Sequence, residues 1–401
     1  MKNINLIGGL LKMKGISRKI FSILSVAMLL LLAACGGNST GSETKDNNGT
    51  SSTTDGVVSA KFGVISYLTG AGAAYGEAIT NGLKLAQKDI NALGEVNIEL
   101  VIEDSAGKAD QALNAAQKIM SDDSITAIIG PTLSTEFFAV APEVDLNGIP
   151  IMGTSTTVDG IPEIGDYVFR NAVPESLAIP AAIKKAVERT GAKKVAMIYG
   201  NDDALTKGGF EVMERTVKEM GLEITTIETY QDGQSDYNAQ LTKIKGTNPD
   251  LILASALYNE GAVIMDQARK MGIDVPFVGG NGFNSPQAIA IAGDAANGLI
   301  VATPYFGESE DAKIKKFNED YEAEYGKKPD QFAAQAYDAL FIYADALKRA
   351  GSTDREEFRE SLAATKDLEG ILGKFSFDEV GDVIMDVTVL EIKDGKFVEF
   401  E

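Results

Sequence analysis

The sequence predicts an α/β protein of two doubly wound lobes, each a parallel sheet covered by helices. Three observations carry this expectation. Short β-rich runs alternate with amphipathic helical windows from residue 60 to about residue 280. The alternation passes through two rounds, the second opening at residue 194. The chain has 401 residues and 44% hydrophobic side chains, enough for two cored domains. Alternation implies parallel sheets because a right-handed crossover must pass over the sheet between successive parallel strands.

In chain order, the N-terminal residues stand apart from this pattern. Lys12, Lys14, Arg18 and Lys19 precede a largely apolar run at 20–32. That run is shorter than a spanning helix of roughly 20 residues and fits a signal-peptide core. It ends at Leu32-Ala33-Ala34-Cys35, the last being the only cysteine in the chain. Small residues directly before a cysteine are the pattern read by lipoprotein signal peptidase. Residues 1–34 are therefore expected to be a lipoprotein signal peptide, with Cys35 lipidated and its thiol consumed. The competing reading is a plain secretory signal with a free cysteine. Residues 36–56, GGNSTGSETKDNNGTSSTTDG, hold no large apolar side chain, so 35–57 reads as lipid anchor and flexible tether.

The first round then reads as a strand at 62–66 and a helix at 76–93. Ile79, Leu83, Ala86, Ile90 and Leu93 form one stripe on that helix. Strands follow at 98–104, 125–130 and 149–152, with a helix at about 110–120 between the first two. The second round has strands at 194–199, 224–229, 250–255 and 275–280, and helical windows near 207–220, 236–246 and 260–271. No second hydrophobic stretch is long enough to span a membrane. In such sheets ligands sit outside the carboxyl ends of the strands. There lie Gly130-Pro131-Thr132-Leu133-Ser134-Thr135-Glu136, a turn opening a helix, and Gly153-Thr154-Ser155-Thr156-Thr157 after the next strand. Hydroxyls and unpaired N–H groups at a helix start suit a carboxylate.

Composition excludes several function classes. The net charge is −21, and removal of the signal leaves 32 basic against 58 acidic residues, or −26. Such a field repels nucleic acid and disfavours docking on anionic lipid, leaving the lipid anchor as the membrane attachment. Histidine is absent, which removes Ser/His and Cys/His nucleophilic chemistry, imidazole acid/base catalysis and histidine metal sites. No Gly-x-Ser-x-Gly elbow between strand and helix and no GxxxxGK[ST] phosphate loop is present. The acidic clusters Asp122-Asp123, Asp202-Asp203 and 308–311 lack calcium-loop spacing and read as solvated loop charge. Neither an enzyme nor a cofactor or metal is implied.

Taken in order, a set of segments resembles one family over residues 58–401. They are GVISYLTGAGAAYGEAITNGLKLAQKDIN, GPTLST followed by GIPIMGTSTT, GDYVFR, YGNDDALTKGGF, PDLILASALYNEGAVIMDQARKMG, FVGGNGF, AAQAYDAL and FSFDEVGD. The chain resembles the branched-chain amino-acid-binding (leucine/isoleucine/valine-binding) family of ABC-transporter substrate-binding lipoproteins, with the type I periplasmic-binding-protein fold. The resemblance implies that Ser134, Ser155 and Thr157 hold a ligand α-carboxylate and α-ammonium, and that Tyr75 packs beside the ligand. Glu175 matches an acidic position near the interlobe connection, in a hinge, rim or contact role. Such residues suit a small zwitterion, with hydroxyls for both charged groups and an aromatic wall for the apolar tail.

The second half departs from that pattern. Relatives that bind leucine, isoleucine and valine carry a glutamate where this chain has Asn281, in Gly279-Gly280-Asn281-Gly282-Phe283, so a formal countercharge is missing. Leu205 and Leu257 fall at or near tyrosine positions, with Tyr258 adjacent. An aliphatic amide or a short carboxylic acid is thus an alternative ligand. The resemblance further implies three crossings between lobes, near 175, 304 and 385. Lobe 1 would comprise 58–175 and 305–385, and lobe 2 would comprise 176–304 and 386–401, with Thr303-Pro304-Tyr305 ending a strand abruptly at one crossing. The ligand would meet the loops of Ser134 and Thr157 first, and Asn281, Phe283 and the Tyr258 segment would close over it. The partners implied are an ABC permease and ATPase complex, and the chain is expected to be a monomer. A ligand-sensing surface lipoprotein is the alternative role; the absence of a signalling segment before Glu401 favours transport.

Overall fold

The computed structural model describes residues 57–400. The segment expected to be a signal peptide, Cys35 and nearly all of the expected tether lie outside the described residues.

The first sheet is built from β1 (Val58–Ser66), β2 (Val96–Asp104), β3 (Ile125–Ile129), β4 (Ile151–Gly153) and β5 (Val168–Arg170). Its order is β2-β1-β3-β4-β5 and every pair is parallel. The crossovers are α1 (Ala73–Leu93), α2 (Ala109–Met120) and α3 (Ser134–Leu146). All five residues of β3 are buried, as expected for a central strand covered on both faces. The chain then enters α4 (Glu175–Thr190) and repeats the scheme. β6 (Lys194–Gly200), α5 (Ala204–Glu219), β7 (Glu223–Tyr230), α6 (Asn238–Thr247), β8 (Leu251–Ser255), α7 (Tyr258–Lys270), β9 (Phe277–Gly279), α8 (Pro286–Ala292) and β10 (Leu299–Thr303) follow. β10 stops directly before Pro304, whose missing N–H ends the ladder.

The remaining residues divide between the two sheets. α9 (Ala312–Tyr325), α10 (Gln331–Ala350) and α11 (Arg355–Ala363) lead to a small antiparallel sheet of β11 (Leu368–Gly370), β12 (Gly373–Phe377) and β13 (Val383–Ile384). α10 lies against α1, where a Cβ on Gly82 would come within 2.2 Å of the Ala333 carbonyl oxygen, so only glycine permits this approach. Below it, Phe62 of β1 meets Tyr343 and Phe358 at ring distances of 5.0 and 5.7 Å, and the Tyr343 hydroxyl donates to the Ile128 carbonyl at 2.8 Å. Arg170, almost wholly buried, ties β5 to the segment before β13 through a two-point pair with Asp382 and a 2.6 Å bond to the Val158 carbonyl.

One expectation needs correction. The second sheet, ordered β15-β14-β10-β9-β8-β6-β7, is mixed, because β14 (Thr388–Lys393) and β15 (Lys396–Glu399) add to it antiparallel. β14 turns back into β15 through a two-residue hairpin, Asp394-Gly395, with both residues in the left-handed region at φ 51° and 69°. Two predicted strands are also shorter than expected. Residues 149–152 give β4 only from Ile151, and 275–280 give β9 only from Phe277, since Pro150 and Pro276 contribute carbonyl acceptors but no N–H.

Candidate functional site

The turn after β3 delivers Leu133 as helix cap and Ser134 as the first residue of α3. The first-turn N–H groups of a helix have no partner within it. Glu136 reaches back to accept the Leu133 N–H at 2.9 Å, fixing the turn; burial pushes its carboxyl above the usual range. The Ser134 hydroxyl accepts the Thr157 N–H at 3.2 Å, and the Ser155 hydroxyl donates to the Thr132 carbonyl at 2.6 Å. The loops after β3 and β4 are thus laced together, and all three predicted hydroxyl residues are buried in one cluster.

Glu175 joins this cluster to the second sheet. It opens α4, and its N–H donates to the Thr157 carbonyl at 2.8 Å. Its Oε1 accepts the Asn281 N–H at 2.9 Å and, at 3.5 Å, the Thr157 hydroxyl. Its Oε2 has no hydrogen-bond partner among the described residues. Burial is the main cause that pushes this carboxyl up to about 7. The approach depends on Gly280, where a Cβ would lie 2.8 Å from Oε1. Asn281 presents its backbone to Glu175 and its carboxamide elsewhere: Oδ1 accepts from Gln331 Nε2 at 2.8 Å. Gln331 is held in turn by the Asn284 amide and the Thr303 hydroxyl, each at 2.9 Å.

Tyr75 spans from α1 to the second half. Its hydroxyl donates to the Gly282 carbonyl and accepts the Tyr258 N–H at 3.0 Å. Its ring meets Tyr258 at 4.6 Å and Phe332 at 4.8 Å, both edge-on. Beside it lies a cavity of about 10 Å³, lined by Tyr75, Ser155, Leu205, Leu257, Asn281 and Phe332 among others. That is room for about one water, far below the roughly 300 Å³ at which drug-sized pockets begin, so the walls are closed on one another.

The structure therefore brings Tyr75, Ser155 and Asn281 to the cavity wall, with Ser134, Thr157 and Glu175 bonded to the loops that form it. Tyr258 contributes its N–H to Tyr75 and its hydroxyl to the Ala71 carbonyl at 2.7 Å, across the cleft. Phe283 does not line the cavity; its fully buried ring fills the space over Gly261 and Gly279, where a Cβ would come within 2.4 and 2.9 Å of it. Phe332 and Leu133 were missed. Asp330, capping α10 through the Phe332 and Ala333 N–H groups at 3.0 and 3.1 Å, was the available signal for Phe332. The Asp202-Asp203 pair is also more than solvated charge: Asp203 caps α5 through the Thr206 N–H and accepts from the Thr135 hydroxyl at 2.5 Å.

A family model described as periplasmic binding protein matches residues 59–396. Among curated relatives, the leucine-, isoleucine-, valine-, threonine- and alanine-binding protein of Pseudomonas aeruginosa is 28% identical over 336 residues, covering 82% of this chain and 89% of that protein. A crystal structure of a leucine-binding protein, LivK, from Thermotoga maritima shares the fold with a TM-score of 0.79 and 30% identity, over 85% of this chain and 97% of that one. The branched-chain amino acid transporter substrate-binding protein LivJ from Streptococcus pneumoniae, solved in complex with isoleucine, gives 0.79 and 33% over 84% and 97%. The match spans both sheets and every residue of the cavity wall, and on it this chain belongs to the periplasmic binding protein family, whose members here are substrate-binding proteins of ABC transporters and not enzymes.

Proposed function

We propose that this protein is an extracytoplasmic, lipid-anchored solute-binding protein that captures a small aliphatic, branched-chain amino acid and delivers it to an ABC permease. One observation carries the reading. Thr132, Leu133 and Ser155 on one side and Leu205, Leu257, Asn281 and Gly282 on the other wall one small cavity, and Glu175, bonded to Thr157 and to the Asn281 N–H beside it, keeps one carboxylate oxygen without a partner among the described residues. The α-carboxylate fits the Ser134 and Ser155 side, where helix N–H groups and hydroxyls gather. The α-ammonium fits Glu175 Oε2, so the countercharge absent at residue 281 comes from residue 175. Tyr75, Leu205, Leu257 and Phe332 enclose the aliphatic tail. The named ligands of the relatives agree with this chemistry.

Residues 58–175 with 305–385, and 176–304 with 386–401, act as two lobes that close about the crossings near 175, 304 and 385. The Tyr75–Gly282, Tyr258–Ala71 and Thr135–Asp203 bonds are the latches of the closed form. A lipidated Cys35 holds the chain to the membrane; fatty-acid labelling lost in Cys35→Ser tests that part.

A second reading, an aliphatic amide or short acid, draws on Asn281, whose carboxamide carries no charge to pair with an ammonium and whose oxygen already accepts from Gln331. Calorimetric titration of the chain from residue 36, after unfolding and refolding, separates the two. Leucine, isoleucine or valine should bind with micromolar or tighter affinity, about −8 kcal/mol. Glu175→Gln should then weaken binding by about tenfold to a hundredfold, in line with about 1.5–3 kcal/mol for a hydrogen bond to a charged group. Binding only of amides or acids, unaffected by Glu175→Gln, would establish the second reading instead. A role in sensing without transport would show as uptake unchanged on deleting the gene.

A further inference from the structure

Tyr75, Leu133 and Leu257 also wall a second cavity, of about 210 Å³, in the same cleft. Its character is different. Asp202, Asp203, Asp232 and Glu260 line it together with the rings of Tyr67 and Tyr230, and no lysine or arginine does. Three of these acids have duties within the fold. Asp203 caps α5 and accepts from Thr135, Asp202 accepts the Asp232 N–H at 3.0 and 3.1 Å, and Asp232 is held by that bond. Glu260, in the first turn of α7, is only 7% exposed, and its Oε2 has no hydrogen-bond partner among the described residues. A buried carboxylate in that position calls for a countercharge. Burial first, then Asp232 and Asp203, raise its pKa, which is the direction an added cation would reverse.

We propose that this chamber is a second ligand site, for an organic cation: a protonated amine or a guanidinium on a short apolar body. The charge would rest against Glu260, while the faces of Tyr67 and Tyr230 receive both the cation and its carbon chain. A divalent metal is the poorer match, because no cluster of three His, Cys, Asp or Glu side chains suited to a metal occurs among the described residues. The walls come from both halves of the molecule: Tyr67 follows β1 and Thr135 lies in the first turn of α3, whereas Asp202, Asp232 and Glu260 follow β6, β7 and β8. An occupant therefore bridges the cleft and favours the closed form. Tyr75, bonded to Gly282 and Tyr258, forms a wall both of this chamber and of the smaller cavity beside it.

The test is calorimetric titration of the full chain in detergent with agmatine, n-butylamine and calcium chloride, before and after saturation with leucine. Agmatine or butylamine should bind saturably and still bind after leucine, and Glu260→Gln should weaken that binding about tenfold or more. Leucine titrated into the same Glu260→Gln preparation reports whether the variant is folded and keeps the amino-acid site distinct from this one. Absence of saturable amine binding by the wild-type chain, competition by leucine, unchanged binding in Glu260→Gln, or calcium binding in preference to the amines would each overturn the proposal.

Discussion

The two halves of the cleft face the same small cavity with different chemistry. The loops after β3 and β4 supply hydroxyls, helix N–H groups and the Ser134–Thr157 and Ser155–Thr132 bonds that fix them. The loops after β6, β8 and β9 supply Leu205, Leu257 and the backbone of residues 281–282. One side can orient a charged ligand; the other can enclose it and measure its size. Glu175 stands between the two, anchored to Thr157 on one side and to the Asn281 N–H on the other. A carboxylate placed at the joint serves recognition only when the halves are together, so its charge reports closure as well as ligand.

Protonation of Glu175 gives the largest expected effect. Its carboxyl is pushed up to about 7 in the ligand-free protein, against about 4.3 in an unfolded chain. Below pH 7 the proton must leave before an ammonium can pair, so affinity for leucine should fall by up to about tenfold per pH unit. Ligand-free stability should run the other way. A carboxyl with a raised folded pKa contributes stability that is full below its unfolded value and is lost as pH rises through its folded one. Asp330 and Asp338, both pushed up to about 6 by burial, act in the same direction. Melting scans from pH 8 to pH 5 should therefore show the free protein gaining stability while the leucine-induced shift in Tm shrinks. A leucine affinity flat across that range would remove Glu175 from the ammonium.

Substitution on the two sides should separate orientation from enclosure. Ser134→Ala removes the acceptor of the Thr157 N–H and leaves that buried donor unpaired, a cost of about 1–3 kcal/mol. Leucine, isoleucine and valine should all weaken by roughly fivefold to a hundredfold with their ranking unchanged. Leu205→Ala removes only wall, three carbons of apolar contact at about 0.8 kcal/mol each when fully used by the ligand. Its signature is a changed ranking, with larger side chains gaining on leucine. If the two variants altered affinity and ranking alike, the division between the halves would not hold.

The same asymmetry explains what the sequence disclosed. Parallel strands such as β3 and β4 are wholly buried, largely apolar runs followed by turns, so their loops, with Ser134, Ser155 and Thr157, could be located from the strand pattern alone. Residues that reach the cavity from far along the chain could not. Phe332 arrives on α10 because Gly82 lets that helix lie against α1, a contact between positions about 250 residues apart that no local pattern encodes. Phe283 misled because an aromatic beside Asn281 resembles a cover, while Gly261 and Gly279 had already left its ring a place in the core. The antiparallel β14 and β15 were legible in principle, since Asp394-Gly395 is a strong hairpin signal. The alternation of strand and helix had ended before it.

The smallest effect concerns the bond that joins the halves directly. Tyr75→Phe keeps the ring, and with it the edge-on contacts to Tyr258 and Phe332, but removes the hydroxyl shared by the Gly282 carbonyl and the Tyr258 N–H. A neutral hydrogen bond contributes about 0.5–1.5 kcal/mol, so affinity should fall by roughly twofold to tenfold. If the cleft closes as proposed, after the ligand has met the first half, the loss should appear in the release rate, since changes within one interface act chiefly on dissociation. Stopped-flow measurement should find association nearly unchanged and dissociation faster. A slowed association instead would mean that Tyr75 meets the ligand before the cleft closes, and that the second half takes part in capture as well as enclosure.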